Sequence, residues 1–198
     1  MVPAELERQA EIAHWINANL SVPFSLSGKD HLALSCFDLS VEHHAAICAL
    51  CDIPLYGSMF ALVRVQFEAL GNGLWLRHAA SQEQAEKYQT KDGLKGIGFG
   101  TLLTIFEARV GASAPAFTDL KKRYWEILSN FTHTGFQGVA RRSDDTHTGG
   151  VNYSEQEVLT MLRLSGVLAH VAAIELAGLS GGAALISTSL DRFRQYGA

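Results

Sequence analysis

From Ala61 to Leu76 the chain reads ALVRVQFEALGNGLWL, apolar on almost every side of a helix yet carrying Arg64 and Glu68 one turn apart. A helix that is apolar on most faces has to be surrounded by other helices, so this segment demands a fold that can enclose it. Arg64, Glu68 and Asn72 fall on one stripe with Trp75 beside it, while Leu62, Val63, Phe67, Leu70 and Leu74 fill the other faces. An exposed pair in this order would stabilise a helix by only about 0.2–0.5 kcal/mol. Burying both ions is costly unless further hydrogen bonds satisfy them. Two readings follow: a polar strut that fixes helix register, or a pocket in which Arg64 binds an anion and Glu68 orients it. A membrane span needs about 20 consecutive apolar residues. Leu55 to Leu76 comes near that but is interrupted by Arg64, Glu68, Asn72 and three glycines, so an enclosed helix is expected and no membrane partner.

The remaining segments supply the enclosure. Ala4 to Leu20 is amphipathic, with Leu6, Ala10, Ala13 and Ile16 at helical spacing. SVPFSLSGKD breaks that pattern, and a second helix is predicted from about Asp30 to Cys51. The third is predicted to start at Pro54, a residue suited to a first helical turn, and to reach about Ala80. SQEQAEKYQTKDG reads as a short helix with its turn. A further helix follows the glycine-rich GLKGIGFG, and another spans Pro115 to about Phe131. TGFQGVARRSDDTHTGGVN is expected to be a long polar loop. Ser154 and Glu157 in NYSEQEVLTMLRL form a capping box for a helix running to about Leu179, and Ala183 to Tyr196 can form a last one. No period-two alternation, internal repeat or dividing linker is visible. The expectation is an all-α chain, one antiparallel bundle of about six helices in a single domain over residues 1–198.

A net charge of −4 speaks against a surface that grips nucleic acid everywhere, though not against a local basic patch. Three cysteines, Cys36, Cys48 and Cys51, make no disulfide framework and point to a reducing cytoplasm. The first residues carry no signal-peptide pattern.

YWEILSNFTHTGFQG ends a helix in a polar cluster, Ser129, Asn130, Thr132, His133 and Thr134, before Gly135. His133 is the residue there that can exchange a proton near neutral pH. Arg141 and Arg142 follow it and Lys121, Lys122 and Arg123 precede it, cations able to hold a phosphate chain. The plainer reading makes His133 a helix cap and the loop a solvated surface.

LVRVQFEALGNGLWL, YWEILSNFTHTGFQGVARR and NYSEQEVLTML, in that order between Phe60 and Leu164, resemble a family of bacterial helical proteins of about this length with no assigned function. THTG and NYS are the most specific parts. More loosely, an Arg-x-x-x-Glu helix followed by a helix ending in Ser-Asn-x-x-His resembles the HEPN superfamily. Those are small helical bundles, often dimers, many of them ribonucleases of toxin–antitoxin and phage-defence systems. That resemblance implies RNA as a partner, a homodimer, and metal-independent cleavage without a cofactor. His133 would move protons, Arg64 would stabilise phosphorane charge with Arg141 as second choice, and Asn130 and Glu68 would orient them. Arg141, Arg142, Thr132 and Trp75 would line the binding surface. The chain departs from the ribonuclease pattern in having no Arg a short distance before His133.

His44, Cys48 and Cys51 share a helix face but lack an evident fourth ligand, so no metal is expected. No Glu-x-x-His pair, Walker pattern or Gly-x-Ser-x-Gly is present. Against the ribonuclease reading stand a non-catalytic helical interaction module, docking a partner through residues 135–152, and a small anion-binding bundle.

Overall fold

A computed structural model describes residues 1–20, 26–90, 93, 97–142 and 152–197. The fold is all-α, 82% helical, with no strand among the described residues. Its nine helices there are α1 (Val2–Leu20), α2 (Gly28–Asp52), α3 (Tyr56–His78), α4 (Gln82–Tyr88), α5 (Phe99–Arg109), α6 (Ala116–Thr132), α7 (Phe136–Ala140), α8 (Glu155–Leu179) and α9 (Ala183–Gly197). The long ones are those the apolar periodicity predicts. α3 begins two residues after the expected Pro54, because the Leu55 N–H bonds back to the Leu50 carbonyl and keeps Pro54 in the turn. α7 lies inside the expected polar loop: five residues are too few to display a period. The rest of that loop, residues 143–151, lies outside the described residues, as do residues 94–96 of the glycine-rich stretch.

Contacts along the chain give the directions. Ser40 meets Gln66 and Phe37 meets Gly73, so α2 is antiparallel to α3. Gln66 meets Ser165 and Arg77 meets Glu175, so α8 runs parallel to α3. Phe60 packs on Phe131 while Arg64 sits over Trp125, so α6 is antiparallel to α3. The core is filled by Phe37, Ile47, Phe60, Phe67, Leu74, Leu103, Leu128 and Leu168, all fully or almost fully buried. α3 contributes most of the large side chains, as its apolar circumference demands. α8 has the length and apolar composition of a membrane span, but 67% of that window is buried inside the fold, as in a core helix.

A polar seam crosses this core. Ser165 Oγ donates to Gln66 Oε1 at 2.7 Å and lies 2.8 Å from His44 Nδ1. His44 Nε2 faces the Gln9 carbonyl at 3.3 Å, and Gln9 Nε2 donates to Glu5, which also accepts from Arg163. Burial pushes the pKa of His44 from 6.5 down to about 4. Cys48 Sγ lies 4.0 Å from the same Nε2, and the other ring nitrogen is taken by Ser165; among the described residues no three His, Cys, Asp or Glu side chains are grouped as metal ligands. The three cysteines are buried free thiols.

Candidate functional site

The pair in α3 is half-buried. Arg64 Nε and Nη2 both donate to Glu68 Oε1, at 3.2 and 3.1 Å, with the Arg64 side chain 13% and the Glu68 side chain 35% exposed. The Arg64 guanidinium lies 4.4 Å from the Trp125 ring, and Trp125 stacks on Phe99 at 5.0 Å. Lys121 Nζ approaches the same indole at 5.0 Å. A guanidinium matched by one carboxylate and seated against an aromatic ring is held in place, worth roughly 0.5–2 kcal/mol for the ring contact alone. Its charge is already answered inside the fold. Trp75 does not share this face with solvent: it is 1% exposed and belongs to the core, because the side of α3 it occupies is covered by other helices.

The stripe does not end at Arg64. Ala61 and Gly57 lie one and two turns before it, on the same face. There they form one wall of a cleft of about 310 Å³, closed by Phe131, Thr134, Val139, Arg142 and Tyr153. The absence of a side chain at Gly57 is what opens it: a Cβ there would sit 3.0 Å from Tyr153 Oη and 3.2 Å from Arg142 Nη2. The phenol and the guanidinium thus converge over one backbone position. Tyr153 Oη is buried and has no hydrogen-bond partner among the described residues. Burial raises the Tyr153 phenol above its ordinary pKa, against the opposing pull of Arg142 and Arg141.

Local sequence chemistry positions each wall. α6 closes with the Gly135 N–H bonded to the Asn130 carbonyl, five residues back, and with Thr134 at φ 54°. That is the position a helix stop usually gives to glycine, so Thr134 carries strain of about 1–2 kcal/mol at the lip of the cleft. Tyr153 is fixed by ring contacts to Phe60, Phe131 and Tyr56. Arg141 clamps it from behind: its guanidinium spans both Glu157 oxygens, at 3.1 and 2.6 Å, bonds the Asn152 carbonyl, and lies over the Tyr153 ring. Glu157 completes the predicted capping box with Ser154. Burial tends to raise its carboxyl pKa, but the bonds from Arg141 and Ser154 outweigh it and hold the carboxyl below the ordinary range.

The expected site residues therefore divide. Arg64 and Glu68 are together. Asn130 spends its amide on the Glu126 carbonyl and Thr132 its hydroxyl on the Leu128 carbonyl, both within α6. His133 is exposed at the end of α6, next to Thr134 at the cleft lip. No hydrogen bond or ion pair among the described residues joins Asn130 or His133 to Arg64 or Glu68. Arg142 lines the cleft, while Arg141 is committed to Glu157. Gly57, Ala61 and Tyr153 stand outside the set of residues the sequence points to. The signal for two of them was present: small residues at i and i+4 continue the Arg64–Glu68 stripe.

The family of unknown function DUF6988 matches residues 37–196, a span that includes every wall of the cleft. No curated protein and no solved structure matches the chain.

Proposed function

The chain belongs to DUF6988, a family of unknown function, and we propose that it is a phosphate-binding helical module whose ligand is RNA. The observation that carries this reading is the convergence over Gly57 of Arg142 and a Tyr153 hydroxyl that has no partner among the described residues, a cation and a hydroxyl donor facing one cleft. The HEPN-like pattern of the α3 and α6 sequences selects RNA among phosphate ligands and brings with it a bacterial cytoplasmic setting and a homodimer. Arg142 supplies the charge and Tyr153 the hydroxyl donor. Arg64 serves as a strut, with Trp125 and Glu68, that holds α3 against α6.

Anisotropy titration of a labelled single-stranded RNA oligonucleotide tests the reading. Arg142→Gln should weaken binding and reduce the slope of log affinity against log salt by about one. Equal affinity and slope in wild type and variant would overturn it.

One observation favours a catalytic version: an exposed His133 beside the cleft lip. In that version His133 takes the proton from a ribose 2′-hydroxyl and the 2′-oxygen attacks the adjacent phosphorus. The 5′-oxygen then leaves with a proton from water, and Arg142 stabilises the charge that develops on the phosphoryl oxygens. Total RNA incubated in EDTA with wild type or His133→Ala decides this version. Fragments from the wild type alone support it, and no fragments from either protein leave binding as the function.

A further inference from the structure

A second cationic pocket shares no lining residue with the cleft. α1, α8 and α9 enclose about 200 Å³ lined by Arg8, Glu11, His170, Arg192, Gln195 and Tyr196. That is room for several waters or one small anion, at about 30 Å³ per water. Three residues distant in sequence bring positive charge or a basic nitrogen to it. Arg8 Nη2 donates to the carbonyls of Gln195 and Tyr196, at 3.1 and 2.8 Å, and its guanidinium lies 4.5 Å from the Tyr196 ring. The contact fixes the group and leaves its other N–H donors unspent on those carbonyls. The Arg192 guanidinium sits 4.6 Å from the Trp15 ring, and no hydrogen bond or ion pair among the described residues engages it.

His170 forms the floor. Its Nδ1 is 2.8 Å from the Gly166 carbonyl, which can only accept, so Nδ1 carries the proton. The neutral ring then has its lone pair on Nε2. Phe193 and Tyr196 pack against the imidazole. We propose that this pocket is a binding site for a small oxyanion, a carboxylate or a phosphate group, held by Arg8 and Arg192 over His170.

Charge balance separates the two oxyanions. With His170 neutral, Arg8, Arg192 and Glu11 leave the pocket one positive charge, which a carboxylate neutralises. A phosphate dianion is matched when His170 Nε2 also takes a proton. The groups facing the imidazole are Arg8 and Glu11 from α1, Arg192 and Tyr196 from α9, and His44 from the α2 side. Burial first, and then Arg192 and Arg8, keep the imidazole pKa below its ordinary value against the opposing pull of the Gly166 carbonyl. A dianion between the arginines reverses their effect. A wider groove shares Glu11 and Arg192 with the pocket and runs along Trp15, so the organic remainder of a ligand has a place to lie.

Calorimetric titration with inorganic phosphate and with acetate, each in two buffers of different ionisation enthalpy, tests the proposal. The expected result is saturable binding of at least one of the two, with proton uptake for phosphate and none for acetate. Arg192→Gln removes the charge on an exposed residue that no hydrogen bond or ion pair among the described residues engages. It should weaken binding about tenfold or more. His170→Asn should abolish the proton uptake, and Lys87→Gln, an exposed residue of α4 that lines neither pocket, should leave both unchanged. Saturation that Arg192→Gln does not alter, or no saturation with either anion, overturns the proposal. Loss of phosphate binding in Arg142→Gln alone would place the anion in the α3–α6 cleft instead.

Discussion

Tyr153 and Thr134 carry the clearest consequences at the scale of single residues. The Tyr153 hydroxyl is buried without a partner among the described residues, so removing it forfeits no hydrogen bond there. Tyr153→Phe should change stability by no more than about 0.5 kcal/mol in urea unfolding, yet weaken RNA binding at the cleft. Thr134 holds a left-handed backbone that glycine adopts freely. Thr134→Gly should therefore stabilise the fold by about 1 kcal/mol, and unchanged or lower stability would show that the hydroxyl or methyl offsets the strain. His44 makes the molecule acid-sensitive. Its folded pKa of about 4 lies below its ordinary 6.5, so the unfolded chain binds more protons in between, and stability falls as pH drops from about 6.5 toward 4. The loss is bounded at about 3 kcal/mol by 1.36 kcal/mol per unit. His170 is shifted the same way and adds to it. Thermal melts between pH 7 and 5 should flatten in His44→Gln relative to the wild type.

Helices are set by their ends as well as their faces. α6 begins at Pro115 without a side-chain cap of its own. Glu107 at the end of α5 supplies one from outside. Its buried carboxylate accepts from the Phe117 and Thr118 N–H groups at 2.7 and 3.1 Å and from the Thr118 hydroxyl. An anion at a helix N-terminus meets the exposed donors and the positive end of the dipole together. Glu107→Ala should cost about 1–3 kcal/mol, measurable as a lower urea midpoint, and should loosen the helix that carries Trp125 and the cleft lip. In the sequence, Ser154 and Glu157 advertised the start of α8 because both partners lie within four residues. Nothing near Pro115 advertised Glu107, whose bonds cross ten residues and a turn. α7 leaves no sequence signature for a related reason: it stands on the turn that ends α6, not on a period of its own.

Across the whole molecule, close approach of α2 and α3 depends on missing side chains. A Cβ at Gly73 would lie 2.6 and 2.8 Å from ring carbons of Phe37. Phe37 is fully buried and cannot move aside. Gly73→Ala should destabilise by about 1–3 kcal/mol, the usual cost of overpacking, despite the better helix propensity of alanine. A differential-scanning melt that moves upward instead would show slack in this interface. The Arg64–Glu68 pair belongs to the same scale: it makes sense once α6 brings Trp125 over it. The pocket of Arg8, His170 and Arg192 is assembled from three helices that meet only after folding.

Apolar periodicity by itself determined that this chain is all-α, and the nearly complete apolar circumference of α3 determined which helix lies at the centre. Those are local properties: a face is apolar or it is not, whatever packs against it. The Ser154–Glu157 cap and the half-buried Arg64–Glu68 pair were legible for the same reason, since their partners sit a turn apart. Tertiary structure alone decided what each charge does. Arg64 is seated against Trp125, Arg141 is answered by Glu157, Asn130 is turned to its own helix, and Trp75 is sealed in the core. Arg142 and Tyr153 meet over Gly57 because α3, α6 and α7 close around them. A cation's availability depends on its distance from the nearest carboxylate and on its burial, and neither is set until the helices have chosen their neighbours.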